Sequence, residues 1–222
     1  MQVAGTTSWR FAESARDSMP HVALFVRDAL GLPVAPGPAV PPPLAGTVPD
    51  RRGLLSPEER HEAGRQWTDW WAALLGVEVH RQEEPTEPDH PGAWQVLRER
   101  RDRAGSPPDF AALADRPALR RAVVDTFPEA HRWTDRLQDV EDRGERGGCF
   151  PYRLVRQVAE DVAFDRRVDV GAVRAGAVVL EVEGSWWHLL APGAVVCSRG
   201  ATAEPRTAHL VLRQVFESGL RR

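Results

Sequence analysis

A chain of 222 residues is long enough to bury a large core and fits a single domain, 1–222. Its 29 basic and 32 acidic residues leave a formal charge of -3, which lacks the basic footprint that phosphate backbones demand, so nucleic acid is not expected as a partner. The sequence contains no Lys, no Asn and no Ile, which excludes Schiff-base lysines, a phosphate-loop lysine and an Asn-containing thiol triad.

The two cysteines, Cys149 and Cys197, are too few for a disulfide scaffold and fit a reducing cytoplasm. Arg10, Glu13, Arg16 and Asp17 interrupt the first segment, and no apolar run reaches membrane-spanning length, so no membrane association is expected. No motif points to a cofactor.

In chain order, residues 8–30 read as one or two helices within an N-terminal helical segment, 6–31. The second opens at Ser18 or Pro20 and buries Val22, Phe25, Val26, Ala29 and Leu30 before Gly31 ends it. Residues 33–49, PVAPGPAVPPPLAGTVP, hold too much proline for helix or central strand and read as an extended connector draped over the surface. As a plain linker it should tolerate loss of three or four residues; its PxxP spacing alternatively suits a Pro-rich-motif ligand.

A helical body spans 56–168. Ser56, Pro57 and Glu59 form the start of a helix, with a capping box and Pro in the first turn, and Gly76 reads as its stop. Trp67, Trp70, Trp71, Leu74 and Leu75 share one face of it and read as core. A charged loop, 77–93, leads to a helix over 91–104 with Trp94 and Leu97 inward and an Arg/Glu face outward. Starts at Ser106, Asp115 and Thr126 divide the next stretch into short helices, with Pro128 at a break. Pro151 opens another, which buries Leu154, Val155, Val158 and Val162 and ends near Arg167.

The last segment, 177–220, reads as a three-stranded antiparallel meander followed by a helix over 203–218, whose inward residues are Ala208, Val211, Leu212, Val215 and Phe216. The fold class expected is therefore α+β, mainly helical: a helical bundle with a small meander near the C-terminus.

The meander holds the chemistry. With Gly184-Ser185 as a two-residue hairpin loop, Glu181 faces His188 and Val182 faces Trp187. Val178, Leu180, Val182, Trp187 and Leu189 then form a core face. Val179, Glu181, Glu183, Trp186, His188 and Leu190 lie on the other. If Pro192-Gly193 closes a second tight turn, Cys197 comes level with His188. The row Glu181, His188, Cys197 would then give orienter, base and nucleophile of a thiol enzyme. A one-residue slip removes Cys197 from that face.

Glu58-x-x-His61, at the start of the helix from 57, has the spacing of one half of a carboxylate metal site but lacks a second such motif on another helix, and the charged loop offers His80, Glu83, Glu84, Asp89 and His90 without a rigid frame, so no metal is expected. The leading reading is a cytoplasmic binding or regulatory protein that acts through a surface bearing Trp186 and Glu183, toward a protein or small molecule, with homo-oligomers left open. The alternative is a small hydrolase or transferase using Cys197, His188 and Glu181.

Overall fold

The computed structural model describes residues 8–14, 18–83, 91–142 and 149–220. It is α+β and mostly helical. Its contacts divide it into two compact units, 1–15 with 147–222, and 16–146.

Among its described residues, the regular elements of the 16–146 unit are helices. It comprises α1 (Ser18–Leu30), α2 (Pro57–Glu83), α3 (Pro91–Ala104) and α4 (Pro117–Asp142). At the start of α2 the Ser56 N–H donates to Glu59 Oε2 at 2.8 Å, and the Glu59 N–H donates to Ser56 Oγ at 3.2 Å. This is the reciprocal cap the sequence specifies. Trp67, Trp70 and Trp71 are buried, as expected of core. Each indole N–H has a carbonyl partner, on Ala23, Ala104 and Ala39 respectively, at 2.7, 2.7 and 2.8 Å, so burying these rings strands no donor.

Two helices run longer than the sequence suggested. Gly76 does not stop α2, because Val77 and Glu78 continue the buried stripe and hold the next turn in place. Residues 77–83, expected as loop, are helical; 84–90 lie outside the described residues. Pro128 likewise falls inside α4. Its missing N–H costs about 3 kcal/mol or more in a helix interior. Against that, Leu119, Ala122, Val123, Thr126, Ala130 and Trp133 form one uninterrupted buried stripe across it, on a helix that packs against α1 and α2. Thr126 is no cap: its hydroxyl donates back to Ala122 O at 2.7 Å.

The proline-rich segment 33–49 forms no helix and, apart from an isolated bridge at Leu44, no strand, but it is anchored rather than draped. Arg27, 6% exposed, donates to Pro41 O at 2.7 Å and Pro42 O at 2.8 Å, stacks over the Trp67 ring at 5.6 Å, and pairs with Asp28, whose carboxylate accepts from Leu44 N. Leu44 is buried. Pro33 O lies so close to α2 that a Cβ on Gly64 would stand 2.7 Å from it. With the Pro41, Pro42 and Ala39 carbonyls bonded internally, the segment is poorly placed as a PxxP ligand.

The other unit is a four-stranded mixed sheet with helices. It contains β1 (Arg10–Ser14), α5 (Tyr152–Arg166), β2 (Arg174–Leu180), β3 (Trp187–Ala191), β4 (Ala194–Ser198), α6 (Arg199–Ala203) and α7 (Pro205–Gly219). The strand order is β1-β2-β4-β3. β1 and β4 both run parallel to β2; only β3 and β4 are antiparallel.

This corrects the expected meander. β2 and β3 are not neighbours, Gly184-Ser185 lies in a connection rather than a hairpin, and β4 inserts between the two strands. The sheet also gains β1, from residues expected as helix. The short alternation Trp9, Phe11 places those rings on the core side, where Phe11 meets Phe150 edge-on at 5.6 Å and lies 5.6 Å from Phe216.

One face of the sheet packs with α5 and α7 around Ala175, Ala177, Val179, Val195 and Cys197. α7 buries Ala208, Val211, Leu212, Val215 and Phe216, as its periodicity specifies. Its end fits closely: a Cβ on Gly219 would stand 2.5 Å from Arg174 O. Ser218 Oγ accepts from Gly193 N at 3.0 Å.

Candidate functional site

The structure takes apart the row Glu181, His188, Cys197. Pro192-Gly193 does make the turn, with Gly193 at φ +77° and Ala191 opposite Ala194. A bulge between Leu189 and Ala191 then adds one residue to β3, so Cys197 pairs with Trp187 and His188 with Val196. Cys197 therefore lies on the α5/α7 face and His188 on the opposite one. Glu181, beyond the end of β2 and separated from β3 by β4, pairs with Arg199.

The sides of the sheet are regrouped with it. Val179 shares the face of Trp187 and Leu189, whereas Val178 and Leu180 alternate to the other face, which is buried too.

Cys197 has no access to solvent, and burial pushes its thiol well above the ordinary range, with Cys149 and Glu13 adding in the same direction. A thiolate nucleophile is thus disfavoured there. Cys149 is also buried, and the two are not bonded to each other.

The residues expected to bind, Trp186 and Glu183, sit in the connection between β2 and β3, half-buried and exposed respectively. That connection is fixed from below by Ser198, the buried N-cap of α6. Its hydroxyl accepts from Trp186 N at 2.9 Å and Ala201 N at 3.1 Å and donates to Gly184 O at 2.9 Å, which uses its full capacity. Ser198 N donates to Trp186 O at 2.8 Å. Gly200 seals the contact, since a Cβ there would stand 2.2 Å from Gly184 O. The loop is a closed backbone joint, and α6, with five residues, is a single short turn beneath it.

A different place shows the features of a binding surface. At the end of α5, Ala163, Phe164, Asp165, Arg167, Val168 and Val170 line an open depression of about 520 Å³. Phe164 is 84% exposed, more than any other large apolar residue described. It projects opposite the stripe Val155, Val158, Ala159, Val162 that α5 buries.

The turn that shapes the depression is a Schellman motif: Val168 N donates to Ala163 O at 3.1 Å and Arg167 N to Phe164 O at 3.2 Å. Its left-handed position, φ +53°, is filled by Arg167 where glycine is usual. Strain of this kind, on the order of 1 kcal/mol, collects at functional positions. The helix end is held to α7 by Asp165 to Arg213 at 2.7 Å and Arg166 to Glu217 at 3.2 Å, and within α7 Arg213 pairs with Glu217 at 3.1 Å. Among the described residues, no group of three or more His, Cys, Asp or Glu is placed to hold a metal ion.

Sequence reasoning missed this surface, although one signal pointed to it. Phe164 is an aromatic residue on the polar side of a helix whose apolar stripe is complete without it. Comparison with known proteins places the chain in no group: no family model, no curated protein and no solved structure matches it.

Proposed function

We propose that the chain is a binding or regulatory protein that engages its partner through the surface around Phe164. The observation that carries this reading is the exposure of that ring beside an open depression of mixed apolar and charged lining. Fully burying such a side chain is worth about 1.5–3 kcal/mol, which the chain forgoes and a complex recovers. The ion pairs from Asp165 and Arg166 to α7 and the Schellman turn at Arg167 order the patch in advance, which lessens the ordering needed on binding. Trp186 and Glu183 contribute less, because the Ser198 joint uses the polar backbone of their loop internally.

The thiol-enzyme alternative loses its geometric support, since base and nucleophile face opposite sides of the sheet. To test the binding reading, peptides from a displayed random library are selected on the immobilised full chain and measured against wild type, Phe164→Ser and Trp186→Ala. We expect binders that weaken at least about 10-fold with Phe164→Ser, a loss of about 1.4 kcal/mol, and change little with Trp186→Ala. Binders indifferent to Phe164 would refute the assignment.

A further inference from the structure

We infer that the outer edge of β2 is a seat that a second copy of the chain fills with its own β1, so that two copies exchange these strands. This seat is separate from the Phe164 surface. Its occupant is identified by what the structure holds there, a segment of this same sequence.

Trp9, Phe11 and Glu13 alternate along β1 and the residue before it, and each has its own counterpart. The Phe11 ring lies 5.6 Å from both Phe150 and Phe216, and Trp9 lies 5.7 Å from Tyr152. Glu13 Oε1 accepts from Phe150 N at 2.9 Å. β2 adds its backbone ladder, in register from Arg10 opposite Arg174 to Ser14 opposite Val178. The edge thus recognises, by strand addition, an extended segment with an aromatic, an aromatic and an acid at alternate positions. Residues 9–13 of another copy meet that rule in full.

The place of β1 in the fold favours exchange. As an edge strand it can leave while β2, β4 and β3 stay paired. None of its residues is buried, whereas every residue of β4 and all but the first of β2 are. The chain also leads from β1 into the 16–146 unit, not into the rest of its own sheet. Tethers supply effective concentrations in the mM range that fall with length, so a second copy at about 1 mM competes with the chain's own strand. Each copy then gives β1 and receives β1, a closed two-fold arrangement with the same contacts made twice.

Arg10 and Arg174 are partners across this strand pair, and neighbouring strands lie about 4.8 Å apart, within reach of a disulfide. Full-length chains carrying Arg10→Cys alone and Arg174→Cys alone are mixed at about 10 μM and at about 1 mM in a glutathione redox buffer, which rearranges chance links. Mass spectrometry of the digest should find positions 10 and 174 joined, which in this mixture requires two chains, with a yield that rises with concentration. Phe11→Ala in the chain that carries Arg10→Cys should lower that yield about 10-fold or more, and Phe164→Ser in both chains should leave it unchanged. The double variant Arg10→Cys/Arg174→Cys, kept dilute, should close the bond within one chain. Closure in the double variant with no link in the mixture overturns the inference, as does a link indifferent to Phe11 or one lost with Phe164→Ser. A double variant that forms no such bond removes the β1–β2 pairing and the inference with it.

Discussion

Iodoacetamide at neutral pH should leave Cys197 unmodified in the folded chain, because its thiol is fully buried and held protonated by that burial. Mass spectrometry should find the label on Cys197 only under conditions that unfold the sheet, and His188→Ala should not change this. Rapid labelling that His188 controls would restore the catalytic row. Glu59 is the contrasting case. The Ser56 N–H first, and Arg121 with it, hold its carboxyl below the ordinary range. A carboxyl depressed on folding contributes stability above its unfolded value, near 4.3, and loses it as pH falls through the folded value. Melting temperatures of wild type and Glu59→Gln should thus differ most near neutrality and converge as the buffer is acidified from about pH 5 to pH 3. At Arg167, glycine relieves the left-handed strain but adds chain entropy to the unfolded state. Arg167→Gly should stabilise by about 0.5–1 kcal/mol in denaturant titrations while weakening whatever the Phe164 surface binds.

Among the elements, α2 carries a helix-interior glycine with no local reason to be there. Gly76 is exposed, and a Cβ on it would meet nothing within 4 Å. Gly76→Ala should raise stability by about 0.5–1 kcal/mol, read as a shift in urea midpoint without a change in slope. The same residue marks where local signals mislead: Gly76 and Pro128 are punctuation by composition, but the buried stripes that run past them, Leu74 to Glu78 and Val123 to Ala130, set the helix lengths. Ser56 and Glu59 were legible because a cap needs only its own four residues. The parallel sheet was written in Ala175 to Leu180, an unbroken apolar run typical of a strand buried on both faces. Gly184-Ser185 carries the stronger local signal, that of a hairpin turn, which the chain does not make. The bulge in β3 had no marker in Leu189-Leu190, and it alone separates His188 from Cys197. Of the candidate site, Phe164 was legible as an off-stripe aromatic, whereas the strain at Arg167 follows from the turn geometry.

At the scale of the molecule, the connector 33–49 behaves as part of the helical unit. Arg27→Ala would leave the Pro41 and Pro42 carbonyls without their donors and should cost about 2–4 kcal/mol. Deleting 39–42, which removes these acceptors and the Trp71 partner together, should lower the melting temperature far more than deleting the exposed tip, 35–37. Equal effects of the two deletions would return the segment to the status of a spacer. The order of the sheet has its own consequence during synthesis on the ribosome. β1 is made before the entire 16–146 unit, yet its partner β2 begins at Arg174. The helical unit is contiguous and can fold as soon as it emerges, while β1 waits with its backbone unpaired and Phe11 uncovered until the last third of the chain arrives. A ribosome stalled once residue 146 has cleared the exit tunnel, but before β2 has, therefore holds one finished unit and one bare strand, and that strand is the segment a chaperone must shield.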